Sequence, residues 1–292
     1  MTCYFPLHAW RSKTPNENGK YPLVFNRNDG FVDKPVTIPC GRCMGCRLER
    51  SRQWAIRCMH EAQLFEDNCF ITLTYDDDHL PSDGSLKLAH FQKFMKRLRK
   101  KYGAGIRFFH CGEYGGETER PHYHACLFGF DFDDKKHYKT TSAGDRLYTS
   151  EKLGNLWKYG FSVIGDVTFH SAAYVARYIT KKISGDSAES HYHGRSPEYC
   201  TQSKGLGKEW FKLYKDDIYP NDFVIVDGQK QRVPEYYDKL LLLDDPDLVA
   251  QLKAIRTKNA QSDPDGTDRR LDDRLICRQA KIKTLTRSME EL

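Results

Sequence analysis

Apolar positions in the middle of the chain switch between two periods, and that switching predicts its elements. The run NCFITLTY from Asn68 is rich in β-branched and aromatic residues and reads as a strand, followed by the turn-rich loop DDDHLPSDGS. Leu88, Phe91, Phe94, Met95 and Leu98 then recur at three- and four-residue spacing. They predict an amphipathic helix whose outer face carries Lys93, Lys96, Arg97, Arg99 and Lys100. Two strands follow, GIRFFHCGEY and HYHACLFGF, joined by GGETERP as a loose hairpin. After a polar loop containing DFDDKKHYKTTSAGD come a short helix around Leu153 to Tyr159, the strand FSVIGDVTF and the helix SAAYVARYITKKI. This β-α-β-β-α-β order plus a helix predicts an α+β fold with a ferredoxin-like, split βαβ antiparallel sheet. Helices are expected on one face, leaving the other free for a ligand.

On either side the pattern is plainer. Arg47 to Phe65 reads as a helix, with Leu48, Ala55, Met59 and Ala62 at helical spacing and no Pro or Gly inside. Beyond the central stretch, FVIVDGQKQRVPEYY suggests a hairpin, and Asp245 to Leu292 a charged, helix-prone tail with breaks at Pro246 and Pro264. The expected organisation is a cysteine knuckle with a basic helix over 1–66, a central domain over 67–186, and a C-terminal extension with a helical tail over 187–292.

Composition adds exclusions. The 292 residues are 39% apolar, enough for a packed core rather than a disordered chain. No run approaches the roughly 20 apolar residues needed to cross a bilayer, and MTCYFPLHAW lacks an export signal, so a protein with no membrane partner is expected to stay where it is made. The formal charge of +6 is too small to diagnose nucleic-acid binding by itself. Local clustering is more telling. Arg42, Arg47, Arg50, Arg52 and Arg57 face the single Glu49 in that stretch, a density suited to phosphate contacts through forked guanidinium groups.

Ten cysteines without an export signal do not read as a disulfide scaffold. Cys40, Cys43 and Cys46 form C-G-R-C-M-G-C, two overlapping C-x2-C steps that place three thiolates within reach of one tetrahedral ion, with Zn the natural choice. Cys3 is the candidate for the fourth ligand, since it would pin the N-terminus to the knuckle; Cys58 is the alternative. The remaining cysteines read as small buried hydrophobes.

His122 and His124 flank Tyr123 on a strand, so both imidazoles share one face. Across the hairpin, the carboxylate of Glu113 can reach the same point. Two nitrogens and one oxygen with open positions suit a divalent ion that also holds a substrate oxygen, Mn or Mg in phosphoryl chemistry more than Zn. Tyr174 and Tyr178 stand one turn apart on the following helix, with Arg177, Lys181 and Lys182 beside them. A phenol is a poor nucleophile at neutral pH, so a cation beside it would have to help. Arg177 and Lys181 could each serve one tyrosine. By contrast, His191-Tyr192-His193 repeats the triplet inside the turn-rich run SGDSAESHYHGRSPEY and reads as a surface loop, while His110 falls on the face opposite Glu113.

F-I-T-L-T-Y (70 to 75), R-P-H-Y-H-A (120 to 125) and Y-V-A-R-Y-I-T-K-K (174 to 182) together resemble the HUH endonucleases that initiate rolling-circle replication. The cysteine knuckle with the R-L-E-R-S-R-Q-W-A-I-R after it, the G-E-Y-G before R-P-H-Y-H, and G-L-G-K-E-W (205 to 210) resemble the replication initiation proteins of gokushoviruses, small single-stranded DNA phages of the microvirus family. The resemblance covers about residues 1 to 215. It implies that His122, His124 and Glu113 hold a divalent cation against the scissile phosphate, and that Tyr174 and Tyr178 attack in alternation. A 5′-phosphotyrosyl enzyme and a free 3′-hydroxyl that primes synthesis would result. The implied partners are single-stranded origin DNA and the host replication helicase and polymerase, in the cytoplasm of an infected bacterium. Arg177 is a departure, standing where double-tyrosine relatives often carry Lys. Two other readings compete. One is a non-enzymatic single-stranded nucleic-acid-binding protein that stacks bases on Phe70, Phe109 and Phe128; the other is a plasmid relaxase, which usually uses three histidines.

Overall fold

The computed structural model describes residues 3–116, 118–181 and 187–283, with the backbone alone at 178–181 and at 187. Its first strands, β1 (Leu7–Ser12), β2 (Leu23–Val24) and β3 (Gly30–Ile38), form a small antiparallel sheet in the order β2-β1-β3. Helix α1 (Met44–Ala62) starts within the cysteine run, earlier than the apolar spacing indicated. Then come β4 (Asn68–Thr74), α2 (Leu88–Tyr102), β5 (Arg107–Tyr114), β6 (Pro121–Phe128), β7 (Lys136–Thr140), β8 (Arg146–Thr149), α3 (Glu151–Leu156), β9 (Ser162–Gly165) and α4 (Phe169–Lys181). The chain continues through α5 (Ser187–Tyr192), β10 (Tyr199–Gln202), α6 (Lys208–Ile218), the hairpin β11 (Phe223–Val226) and β12 (Gln229–Arg232), α7 (Glu235–Asp244), α8 (Pro246–Gln261) and α9 (Asp268–Lys283). No helix among the described residues is long and apolar enough to cross a membrane.

The chain divides into two compact units, residues 3–50 with 253–283 and residues 51–252. The second contains a seven-stranded antiparallel sheet in the order β10-β5-β6-β4-β9-β8-β7. Alternation along its strands gives each face its own core. Ile71, Leu73, Tyr123, Ala125 and Leu127 face α2 and α3, packing with Phe91, Phe94, Leu98 and Leu153. Phe70, Phe109, Cys111, Cys126 and Phe128 face the other way, packing with Ala55 and Cys58 of α1 and with Ala172, Val175 and Ala176 of α4.

That second layer corrects the expectation of an open face. Apolar residues occupy both phases of β4, β5 and β6, so both faces must be covered to remove them from water. Phe70, Phe109 and Phe128 are accordingly buried, and none is available for base stacking. Two runs read as loops also hold regular structure. The polar stretch after β6 forms the hairpin β7–β8 at one sheet edge, and His191-Tyr192-His193 includes the end of α5. There the buried Tyr192 ring anchors the helix while His191 and His193 are exposed.

Where β9 begins, the backbone approaches the end of β4 closely: Thr74 N–H donates to the Phe161 carbonyl and Asp76 N–H to the Tyr159 carbonyl, each at 2.9 Å. Gly160 sits between them at φ +141°, and a Cβ there would fall 2.2 Å from the Asp76 nitrogen. Gly160→Ala is therefore expected to destabilise the chain by about 2 kcal/mol or more, read as a lower urea midpoint. Gly84→Ala, whose Cβ would meet nothing within 4 Å, serves as the control for positive φ alone.

Candidate metal and tyrosine site

Strand register assembles the first site. Glu113 on β5 lies directly across from His122 on β6, and His124 lies across from Thr72 on β4. Directly opposed residues of an antiparallel pair share a face, so these side chains meet on the side covered by α1 and α4. Glu113 Oε1 lies 3.0 Å from His122 Nε2 and 2.7 Å from His124 Nε2. The far nitrogens are also held. His122 Nδ1 donates to the Arg120 carbonyl at 3.0 Å, and His124 Nδ1 lies 2.8 Å from Thr72 Oγ1. Both imidazoles are thus oriented with Nε2 toward the carboxylate, the arrangement in which a neutral ring offers a lone pair to a metal. The three residues form a group able to hold a metal ion, with ligand atoms within 4.8 Å of one another. Burial works against the charge on Glu113, but hydrogen bonds from His122 and His124 and their charge outweigh it and hold the carboxyl well below the usual carboxylate range.

The first tyrosine belongs to this group. Tyr174 on α4 is only 2% exposed, its hydroxyl donates to Glu113 Oε1 at 2.9 Å, and its ring meets that of His124 edge-on. The Arg177 guanidinium stands 5.2 Å from the Tyr174 ring centre. Tyr178 and Lys181 lie on α4 with their side chains outside the description, and Lys182 lies outside the described residues. His110 is on the opposite face, stacked on Phe91. Thr72 and the Arg120 carbonyl escaped the sequence reading. The signal for Thr72 was its phase: in FITLTY it is a polar residue in step with Phe70, on the face that His124 shares.

The second site lies in the other unit. Sγ atoms of Cys3, Cys40, Cys43 and Cys46 lie within 4.8 Å of one another. Cys40 and Cys46 sulfurs are 4.0 Å apart, and those of Cys3 and Cys43 are 3.9 Å apart. Backbone N–H groups point at them: Cys40 N–H donates to Cys3, Cys43 N–H to Cys40, and Tyr4 N–H to Cys43. Burial raises the Cys43 thiol, but the Tyr4 and Cys46 N–H groups and the neighbouring thiols outweigh it and bring it down to about 6. Cys58 takes no part; it is fully buried among Ala55, Cys126 and the rest of the α1–α4 layer.

The five arginines separate. Arg42, Arg47 and Arg50 are exposed. Arg52 donates to the Arg232 carbonyl at 2.8 Å. Arg57 is turned inward, its guanidinium between the rings of Trp54 and Tyr236 and bonded through Nε and Nη2 to the Leu206 carbonyl.

Known proteins carry the same plan. The replication-associated protein ORF2 family matches residues 68–183, the stretch from β4 to α4. Replication-associated protein VP4 of Bdellovibrio phage phiMH2K is 37% identical over 79% of this chain and 78% of its own length. Replication-associated protein ORF2 of Spiroplasma virus 4 is 36% identical over 82% of this chain and 80% of its own. Replication-associated protein ORF4 of Chlamydia phage 1 is 33% identical over 70% of this chain and 53% of its own. No solved structure matches the chain. At this identity and coverage the chain belongs to the replication-associated proteins of small single-stranded DNA phages, the gokushovirus family that its motifs resemble.

Proposed function

We propose that this protein initiates replication by cutting and rejoining single-stranded DNA at the phage origin, with a tyrosine as nucleophile. The observation that carries the reading is the hydroxyl of Tyr174 on the same carboxylate oxygen that faces His122 and His124. Strand order supports it. Within the sheet, β5-β6-β4-β9 is the antiparallel order of a ferredoxin-like split βαβ, the HUH endonuclease core, and residues 67–186 are the proposed catalytic segment.

Glu113, His122 and His124 would hold Mg or Mn, whose charge would polarise the scissile phosphate. The chain's own groups do the rest. As the Tyr174 oxygen bonds to phosphorus, the bond from phosphorus to the 3′ oxygen breaks. Glu113 Oε1, already the acceptor for the phenolic hydrogen, orients that proton, which ends on the released 3′-hydroxyl. The Arg177 charge beside the ring favours the phenolate as it forms. Because the phosphotyrosyl ester keeps the energy of the diester, Tyr178, with Lys181 or Lys182 near it, can take the strand in the reverse sense without a nucleotide cofactor. The exposed Arg42, Arg47 and Arg50, with Arg52, are proposed to contact DNA phosphates. Arg57, committed to Leu206, is proposed to brace α1. Host helicase and polymerase would extend the 3′ end in the bacterial cytoplasm. The test is purified protein with Mg or Mn and single-stranded origin DNA. A covalent adduct that survives denaturation is expected, and its absence with every single-stranded DNA tried would favour a binding-only role.

Zn is proposed for Cys3, Cys40, Cys43 and Cys46. Four sulfurs at ~2.3 Å from a tetrahedral ion stand about 3.8 Å apart, close to the 3.9 and 4.0 Å found here. Protein prepared without added metal is expected to carry about one zinc per chain. Cys43→Ser should lose most of it by elemental analysis, while Cys58→Ser should keep it.

A further inference from the structure

The register places one more feature in the row that holds the metal-binding residues. Glu113 pairs with His122, His122 with Thr74, and Thr74 N–H donates to the Phe161 carbonyl. β4 and β9 pair antiparallel, with Leu73 opposite Ser162, so Phe161 opposes Thr74 and shares its face. At ~4.8 Å per strand, two spacings put Phe161 roughly 10 Å from His122 across the sheet. Phe161 is nevertheless 50% exposed. An aromatic residue on a rigid backbone, set by the Gly160 approach and open to solvent beside a phosphate-chemistry site, needs a reason.

A second aromatic comes to meet it. Tyr138 lies on the edge strand β7 where the pairing slips between His137 and Lys139, a bulge that leaves Tyr138 out of the ladder. Bulges re-aim side chains, and this one sets the Tyr138 ring 5.4 Å from that of Phe161 while leaving it 51% exposed. Lys136, Arg146 and Lys158, all exposed, lie on the same hairpin or just before Phe161. Rings beside positive charges, continuous with a site for phosphate, match single-stranded DNA, which offers base faces and a charged backbone.

We propose that Phe161 and Tyr138 form a stacking platform for bases of the strand whose phosphate lies at Glu113, His122 and His124. This rests on the cleavage reading for the identity of the strand. Physically, the burial of Phe70, Phe109 and Phe128 removes the sheet's central aromatics from service and leaves stacking to this edge.

The experiment is a titration of fluorescein-labelled oligothymidylate with the full chain in EDTA, so that no cleavage intervenes. Phe161→Ala/Tyr138→Ala should bind about 10-fold more weakly or worse, whereas Phe161→Trp/Tyr138→Phe should bind within about 3-fold of the parent. The introduced Trp should also be quenched on adding DNA. If the alanine pair fails to fold, Phe161→Leu/Tyr138→Leu replaces it, keeping bulk without a ring. Equal affinity of parent and ringless variants, or equal loss in the ringless and aromatic variants, would overturn the platform. A parent chain that binds through these rings yet never forms an adduct would overturn the cleavage chemistry and leave the platform standing.

Discussion

Tyr174→Phe/Tyr178→Phe is expected to lower covalent adduct formation with single-stranded origin DNA by at least about a thousand-fold. Binding of the same DNA in EDTA should persist. The loss follows from removing both phenolic oxygens, each proposed to become a phosphotyrosyl ester. The fold should survive because the Tyr174 ring, packed in the α1–α4 layer, is kept. Only its hydroxyl is lost from Glu113, which retains His122 and His124. The single variants should part: the one lacking the first nucleophile loses the initial adduct, and the other loses strand transfer. Denaturing gels with labelled oligonucleotide read both. Adduct at the parental level in the double variant would move the nucleophile elsewhere.

His122→Ala and Glu113→Gln should each reduce cleavage at saturating Mn by about a hundred-fold or more, since each removes a proposed ligand. Glu113→Gln also replaces an acceptor-only carboxylate with an amide that cannot balance the charge of two imidazoles. Thr72→Val should act differently. It leaves all three ligands but frees His124 to turn, so the Mn concentration for half-maximal cleavage should rise ~10-fold or more while the plateau rate changes less. Cleavage titrated with Mn for the parent and these variants separates ligand loss from ligand misorientation. Undiminished cleavage in Glu113→Gln would contradict the assignment.

The residues that carry this chemistry were legible because each obeys a short-range rule. Alternation placed His122 and His124 on one face and His110 opposite Glu113's, a hairpin brought Glu113 across, and C-x2-C spacing gathered Cys40, Cys43 and Cys46. The choice of Cys3 over Cys58 followed from the same logic, since Cys58 sits in an apolar stripe of α1. What stayed hidden depends on contacts far apart in sequence. Covering of the second sheet face rests on α1 and α4 meeting strands that lie between them in the chain. β10 joins the sheet only by pairing with β5, about ninety residues earlier. β7, KHYKT, has no buried face to mark it, because an edge strand without a core side shows no apolar alternation. Arg57 looked like a DNA contact because a dense basic run hides which guanidinium turns inward. Its partners, Tyr236 and the Leu206 carbonyl, are distant in the chain.

The most direct measurement is the polarity of the adduct. Origin oligonucleotides labelled at either the 5′ or the 3′ end are incubated with the protein and Mg or Mn, denatured and separated by mass. The 3′-labelled strand should travel with the protein, bound through a 5′-phosphotyrosyl ester in the peptide containing Tyr174 or Tyr178, while the 5′ label leaves on a shortened fragment ending in a 3′-hydroxyl. A 5′ label that follows the protein, or a linkage mapped outside α4, would contradict the account.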